Sequence, residues 1–339
     1  MDSQAKTDRR RRFSFQQQLL LAVSLLGLLS VTTLRSGSRR AESTVDKPAL
    51  EMIWLLSFPN SGTTYTLELV SALTRTFTAS VYGIESVKAV GPSHVPVYAD
   101  EETTSPFWVY HDNATDILHP TRYVLTKTHC GTKMDHDNVE TFLKGCATNN
   151  YRVGRNRRKT QHDTEQVKKA IHLIRNPFDN IVSRFRFERR HPAHEVFPTT
   201  TEGFRGYCEY TKDQVLAKEW TLHRNILPYL EGVPCPFDFL RYLRWHNLAF
   251  ETTEKLGIET MILHYESYEN DFDGTSQKLI NFLELEQRGE PAPFLTGKTY
   301  VDYFSEAEKK AVSLAYRAMA SPATRVHLDR YFDQTLLSS

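Results

Sequence analysis

The chain has no surplus of charge of either sign. Its 42 lysine and arginine residues nearly balance its 41 aspartate and glutamate residues, giving a formal net charge of +1. This balance gives no general tendency to bind nucleic acid, which attracts proteins with a basic surplus. The sequence also contains no internal repeat and no long low-complexity segment. Its 339 residues, 40% of them apolar, are enough to bury one large core.

Cysteine is scarce, and the chain has four: Cys130, Cys146, Cys208 and Cys235. Their spacing does not resemble that of a zinc site, and we predict no metal. In an oxidising compartment the four could form two disulfides by any of three pairings. Free buried cysteines are the alternative.

A long apolar run occurs near the N-terminus, after the basic residues Arg9–Arg12. Its strongly apolar part is about 16 residues long, whereas a full bilayer span takes about 20. No small-x-small cleavage site follows, which favours a short signal anchor over a cleaved signal peptide. We therefore expect a cytosolic tail at residues 1–12, a transmembrane anchor at 13–34, a stem at 35–48 and a luminal domain at 49–339.

This arrangement corresponds to a single-pass type II protein of the Golgi or another secretory-pathway membrane, since a short span suits a thin early-secretory bilayer. In that lumen, Asn113-Ala114-Thr115 is a sequon for glycosylation.

The segment Trp54–Tyr65, W-L-L-S-F-P-N-S-G-T-T-Y, combines an apolar strand, a turn and the start of a helix. A strand that turns at glycine into a helix directs several backbone N–H groups, and the positive end of the helix dipole, at one point. Such a point suits phosphate, and the hydroxyl groups of Ser61, Thr63 and Thr64 are further donors. For this segment alone, an ordinary strand–turn–helix junction is the alternative.

A second junction, Ala170–Phe185, reads A-I-H-L-I-R-N-P-F-D-N-I-V-S-R-F. Arg175 stands at the end of the strand, and Pro177 suits a first helical turn. Ser183 is spaced to share a helical face with Asp179. A guanidinium group and a hydroxyl group can together bind phosphate. The alternative is a structural βα unit whose arginine makes a surface ion pair.

Between these junctions, Arg122–Cys130 (R-Y-V-L-T-K-T-H-C) predicts a strand that ends in polar residues. Lys127 and His129 are two apart on extended chain, so their side chains point to the same side. A single histidine is more often structural than catalytic. A Lys-x-His at the carboxyl end of a strand, in a chain with two candidate phosphate loops, favours a functional pair.

Together these segments resemble the sulfotransferase family that uses 3′-phosphoadenosine 5′-phosphosulfate (PAPS). The family's 5′-phosphosulfate loop, F-P-x-S-G-T-T, matches Phe58–Thr64, which we call the 5′ loop, and its K-T-H strand end matches Lys127–His129. Its 3′-phosphate signature, R-N-P-x-D-x-x-x-S, matches Arg175–Ser183. A Tyr-Glu pair like the family's begins at Tyr265, and Thr296–Phe304 resembles the basic glycine loop that closes over the 3′-phosphate.

The resemblance spans residues 50–305 and implies an α/β fold, P-loop-like, in which one domain has a central parallel sheet flanked by helices. It implies an enzyme that transfers a sulfuryl group from PAPS, its co-substrate, to an acceptor hydroxyl by in-line displacement without a metal. It assigns catalysis to His129, as general base, and to Lys127. It assigns donor binding to Pro59, Asn60, Ser61, Gly62, Thr63, Thr64, Arg175, Ser183, Tyr265 and Lys298.

One position departs from the family's pattern. The 5′ loop usually carries Lys or Arg between its proline and the Ser-Gly pair, and this chain has Asn60 there. The family's cation lies by the leaving phosphate, where a charge-assisted contact is stronger than the neutral hydrogen bond that asparagine donates. Lys127 could take over this task, the enzyme could be slow, or the fold could be kept for binding alone. The presence of both Lys127 and His129 favours the first.

A P-loop kinase is a further alternative. Its Walker A loop needs a lysine after the second glycine, however, and Thr63 follows Gly62 here. For the sulfotransferase, a luminal domain favours a carbohydrate acceptor. Two basic runs, Arg152–Lys159 and the arginines of 184–190, form either solvated surface or a rim for an anionic glycan. Protein tyrosine, a lipid headgroup and an amine stay open as acceptors.

Apolar and turn patterns predict strands at Met52–Ser57, Tyr123–Thr126, Ala170–Ile174 and Thr260–His264, and helices at Thr63–Thr76, Phe178–Arg190, Phe237–Lys255, Thr275–Leu283 and Ser305–Ala318. The segment Tyr82–Pro120, rich in proline, threonine and aromatic residues, predicts a long irregular loop in the acceptor wall. The three motifs all fall at the carboxyl ends of strands, where parallel sheets bind ligands.

Overall fold

The computed structural model describes residues 50–82, 93–97, 117–118, 120–131, 138–153, 156–223 and 225–332. The chain from Pro48 to Ser339 is one compact unit. The predicted tail, anchor and stem, at 1–12, 13–34 and 35–48, and the sequon at 113–115 lie outside the described residues. Within those residues, no helix has both the length and the apolar character that a membrane span requires.

The described residues form eight strands: β1 (Glu51–Ser57), β2 (Thr78–Ser80), β3 (His94–Pro96), β4 (Tyr123–Thr128), β5 (Thr148–Val153), β6 (Asn156–Gln161), β7 (Val167–Ile174) and β8 (Glu259–His264). Six of them form one sheet in the order β3-β2-β4-β1-β7-β8, and every pair in it is parallel. Strands β5 and β6 form a separate antiparallel hairpin.

The same residues form nine α-helices: α1 (Thr63–Thr74), α2 (Val139–Ala147), α3 (Pro177–Glu188), α4 (Thr201–His223), α5 (Pro236–Leu256), α6 (Ser267–Asn270), α7 (Phe272–Phe282), α8 (Glu306–Met319) and α9 (Pro322–Leu328). The predicted α/β class, with a central parallel sheet flanked by helices, is confirmed.

Strand β1 shows why the sheet lies between two layers of helices. Ile53 and Leu55 pack into one apolar cluster with α1 and α7. The alternate residues Met52, Trp54 and Leu56 pack into a second cluster with α2, α3, α5 and α8. Successive side chains of a strand point to opposite faces, so an unbroken apolar run buries both faces of a central strand.

The four predicted strands and five predicted helices are all present, with ends that differ by a few residues. The prediction of an irregular Tyr82–Pro120 is wrong at His94–Pro96, which pairs in parallel with β2 at the edge of the sheet. The basic run Arg152–Lys159 falls across the β5–β6 hairpin. The sequence patterns did not predict α4 or the three-residue strand β2.

The four cysteines form two disulfides, Cys130–Cys146 and Cys208–Cys235. The first joins the chain just after β4 to α2, and the second joins α4 to the residue just before α5. No group of three potential metal-ligating side chains occurs in the part of the chain that the structure describes.

Candidate active site

The 5′ loop turns sharply after β1 and enters α1 at Thr63. Asn60 has a φ angle of 66° and Gly62 one of 98°. Both angles lie in the left-handed region, which favours glycine and which asparagine enters more often than most residues. A Cβ atom at Gly62 would overlap the ring of Tyr265. The predicted strand–turn–helix junction is confirmed, and conformation and space both require glycine at its end.

The first turn of α1 is open to an anion. Among the described residues, no side chain caps its N-terminus, and its first turn holds no acidic residue. Thr63 Oγ1 lies 2.7 Å from Ser57 Oγ, and Thr64 is exposed. Ser61 Oγ accepts a hydrogen bond from Asn180 Nδ2 at 3.0 Å, so its own proton remains available to a ligand. Free N–H groups and hydroxyl groups at a helix N-terminus fit a phosphate or phosphosulfate group.

His129 follows β4 directly and is held at three atoms. Its Nδ1 donates to the backbone oxygen of Ser57 at 2.6 Å. Its backbone N–H donates to Tyr82 Oη at 2.7 Å, and its backbone oxygen accepts from Trp245 Nε1 at 2.7 Å. A carbonyl oxygen can only accept, so the proton of the neutral ring is on Nδ1, and Nε2 carries a lone pair.

Lys127 and His129 both lie against the ring of Tyr82. Lys127 Nζ is 5.6 Å from the ring centroid, and the imidazole centroid is 5.4 Å from it. The prediction that the two side chains point to one side is therefore confirmed. Burial, reinforced by the positive charges of Lys127 and Arg184, lowers the pKa of His129 to about 3. Burial also lowers the pKa of Lys127. The imidazole is thus neutral at physiological pH and able to accept a proton.

Arg175 follows β7 and reaches back to the 5′ loop. Its Nη1 donates to the backbone oxygen of Asn60 at 3.0 Å, and its guanidinium carbon lies 5.0 Å from the ring centroid of Tyr265. Tyr242 Oη donates to the Arg175 backbone oxygen at 2.6 Å. The residue is only 6% exposed, so the alternative of a surface ion pair is wrong.

Helix α3 also contacts the segment Thr296–Phe304, which comes from much later in the chain. Asp179 Oδ1 accepts from the backbone N–H of Tyr300 at 2.6 Å, so the segment Thr296–Phe304 lies against α3. Burial raises the pKa of Asp179. Ser183 is partly buried one turn further along α3, and Lys298 is exposed. In the part of the chain that the structure describes, neither is hydrogen-bonded to the 5′ loop, whose bonds go to Arg175 and Asn180.

Residues without a predicted role also connect the two junctions. Asn180 Nδ2 donates to the backbone oxygen of Pro59 as well as to Ser61, both at 3.0 Å. Glu266 accepts from the backbone N–H of Asn176 and from Tyr331 Oη, each at 2.7 Å. A polar residue on the apolar face of a predicted helix is the signal that could have indicated Asn180. No local signal indicates Tyr331, which comes from the far end of the chain.

Direct contacts thus involve six of the twelve predicted site residues: His129 contacts Ser57, which contacts Thr63, and Asn60 contacts Arg175, while Gly62 lies against Tyr265. They lie beyond the carboxyl ends of β1, β4, β7 and β8, at one edge of the sheet. This is the place where a parallel α/β sheet binds its ligand.

A family model described as "Sulfotransferase domain" matches residues 50–315. A search of curated protein sequences finds no match. Among solved structures, the chain is similar to a mouse sulfotransferase, SULT7A1, complexed with PAP, at 16% identity and a TM-score of 0.31, over 80% of this chain and 68% of that one. It is also similar to a sulfotransferase from Alicyclobacillus acidocaldarius, at 11% identity and a TM-score of 0.40, over 86% of this chain and 99% of that one. Because the family model covers most of its length, the chain belongs to the sulfotransferase family and is a PAPS-dependent sulfotransferase.

Proposed function

We propose that this sulfotransferase transfers the sulfuryl group of PAPS to a hydroxyl group of a glycan, with His129 as general base. The hydrogen bond from His129 Nδ1 to the Ser57 backbone carries the proposal, because it leaves Nε2 as a proton acceptor. The Ser57 side chain is itself bonded to Thr63 at the start of α1. The base and the 5′ loop are therefore joined through one residue, which supports transfer between them.

The 5′ loop and Arg175 are proposed to bind the two ends of the donor. Backbone N–H groups of Gly62–Thr64 would hold the 5′-phosphosulfate, since the end of α1 is open, whereas the Ser61 N–H donates to the backbone oxygen of Phe58 at 3.3 Å. Arg175 and Ser183 would hold the 3′-phosphate, with Lys298 adding a charge from the segment that lies against α3. Tyr265, which contacts both Gly62 and Arg175, would line the adenine.

In the proposed mechanism, His129 Nε2 takes the proton of the acceptor hydroxyl as that oxygen attacks sulfur. The bond from sulfur to the 5′-phosphate oxygen breaks, and its electron pair stays on the phosphate. Lys127 stabilises the transferring sulfuryl group or the departing oxygen. Its partly buried position supports this role, because a charge acts more strongly away from bulk water.

We propose that the catalytic domain lies in the lumen of the Golgi or another secretory compartment, in type II orientation behind the anchor at 13–34. The two disulfides support this location, because such bonds persist in oxidising compartments. Carbohydrate chains, including anionic ones, are abundant acceptors there. The proposed acceptor class follows from this location.

The test is to incubate the full-length protein with ³⁵S-labelled PAPS and a panel of acceptors. The panel contains chemically desulfated heparin, chondroitin and dermatan, a tyrosine peptide and a lipid headgroup, with ATP and Mg²⁺ in a parallel reaction. We expect label on at least one polysaccharide. Label only on the peptide or lipid would overturn the glycan acceptor. Phosphoryl transfer from ATP, without transfer from PAPS, would overturn the reaction itself.

A further inference from the structure

Arg184 lies on α3 beside the 5′ loop, largely hidden from solvent. Its side chain is 12% exposed, and its guanidinium carbon is 5.1 Å from the ring centroid of Phe58. Phe58 is the first residue of the 5′ loop and follows Ser57, the residue that holds His129. The guanidinium group therefore lies at the junction of the loop and the base.

Arg184 shares its acidic partner with a second arginine. Arg184 Nη2 is 3.4 Å from Asp238 Oδ1, and Arg241 Nη1 is 3.5 Å from the same oxygen. Two guanidinium groups thus share the Asp238 carboxylate, and Glu188, one turn further along α3, is a second acid that acts with them on Tyr207. The Nε atom of Arg184 is buried and has no hydrogen-bond partner among the described residues. Because buried polar groups are nearly always paired, this N–H donor is available to an acceptor that binds beside it.

The charge of Arg184 also acts on the imidazole across the site. It contributes to the lowered pKa of His129, together with Lys127, which lies on the strand that leads to His129. Among the described residues, these two cations are the charged groups that act on that ring, and the neighbouring phenol, Tyr82, has a pKa raised by burial and stays neutral.

We propose that Arg184 supplies the positive charge that the 5′ loop lacks at Asn60, acting on the leaving 5′-phosphate oxygen. This inference rests on the proposed function. In it, α3 provides the charge-assisted contact from outside the loop, while Asn60 keeps the left-handed turn without a cation. Lys127 then faces the acceptor side of the transferring group.

The test compares Arg184→Gln with Arg205→Gln, which removes an arginine from an exposed ion pair with Glu308. Affinity for adenosine 3′,5′-bisphosphate and for adenosine 3′-phosphate is measured by calorimetry, and transfer from ³⁵S-labelled PAPS to desulfated heparin and chondroitin is measured in parallel. We expect Arg184→Gln to lower turnover by about 10²–10³-fold. It should weaken the bisphosphate by roughly 10-fold and leave the 3′-phosphate unchanged, because only the bisphosphate has a 5′ group.

A second variant separates this role from a structural one. In the Arg184→Gln background, Asn60→Lys should restore at least 10-fold of the lost turnover by returning a cation to the loop. Equal weakening of both nucleotides without rescue would mean that Arg184 only supports the fold, and wild-type turnover in Arg184→Gln would also overturn the inference. If the wild-type protein neither bound the bisphosphate nor used PAPS, the proposed function itself would fail.

Discussion

At the scale of single residues, His129 is the side chain whose replacement should separate chemistry from donor binding. We expect His129→Ala to lower turnover by about 10²–10⁴-fold, because proton removal from the acceptor would be lost. Affinity for adenosine 3′,5′-bisphosphate should stay within about 2-fold, since the ring contacts the Ser57 backbone and not the turn of the 5′ loop. Steady-state transfer and calorimetry are the measurements, with the exposed His191→Ala as control. Full turnover in His129→Ala would exclude the base assignment.

The lowered pKa of His129, at about 3, predicts an unusual pH profile. A base works in its deprotonated form, and a depressed pKa keeps that form populated at lower pH. We therefore expect kcat/KM to show no acid limb near pH 6.5, the ordinary histidine value, and to stay flat down to about pH 5. Rates measured over pH 5–8, with folding monitored at each pH, provide the check. A half-maximal rate at pH 6–7 would contradict the burial of the ring.

Residue types and spacing predicted where Lys127, His129, Gly62 and Arg175 stand, at or just beyond the carboxyl end of a recognisable strand, while their roles stay predictions. They were not enough to predict Tyr82, whose hydroxyl accepts from His129 across 47 positions of sequence. Tyr82 comes just after a strand of three residues, too short to give a pattern of its own. Sequence also did not show that Asn60 has a positive φ angle, a conformation that asparagine adopts more often than most residues.

At the scale of elements, the 5′ loop needs glycine at position 62 for two reasons: its positive φ angle and the lack of space for a Cβ atom. A comparison with Gly257 separates the two. Gly62 and Gly257 both have positive φ angles, but a Cβ at Gly62 would overlap Tyr265, whereas nothing lies within 4 Å of one at Gly257. We expect Gly257→Ala to cost about 1–2 kcal/mol of stability and to keep donor binding. Gly62→Ala should lower affinity for adenosine 3′,5′-bisphosphate by at least 10-fold, because the loop or Tyr265 must move. Denaturation and calorimetry on both variants check this, and equal affinities would contradict it.

The elements that could be predicted from sequence are those with a continuous run or a regular spacing of apolar residues. Strand β1 is buried on both faces and reads as an unbroken apolar run, so its prediction was accurate. Among the residues of α4 up to Ala217, those that are fully buried, such as Phe204 and Tyr207, lie near its beginning. Val215 and Leu216 further along are partly buried, so the apolar pattern of this part of the helix is weak in sequence. Tertiary contacts, including the Cys208–Cys235 disulfide, hold it in place.

At the scale of the whole molecule, buried neutral histidines should make stability fall in acid. Burial lowers the pKa of seven histidines among the described residues: His94, His129, His162, His172, His246, His264 and His327. The unfolded chain, with histidine pKa values near 6.5, binds protons that the folded chain does not, so the free energy of unfolding decreases as the pH is lowered below about 6.5. We expect a loss of up to about 1.4 kcal/mol per group per pH unit below about pH 6. Urea denaturation at pH 7.5, 6 and 5 is the measurement, and an unchanged midpoint would contradict it.

The disulfide Cys130–Cys146 has a practical consequence, because its first cysteine is the residue after His129. The bond fastens the end of β4 to α2, and with it the backbone that presents the imidazole. Protein produced in a reducing bacterial cytosol has the same amino-acid sequence but lacks this disulfide. Rates from such material would understate the native enzyme, so recombinant preparations need thiol titration before their activities are compared.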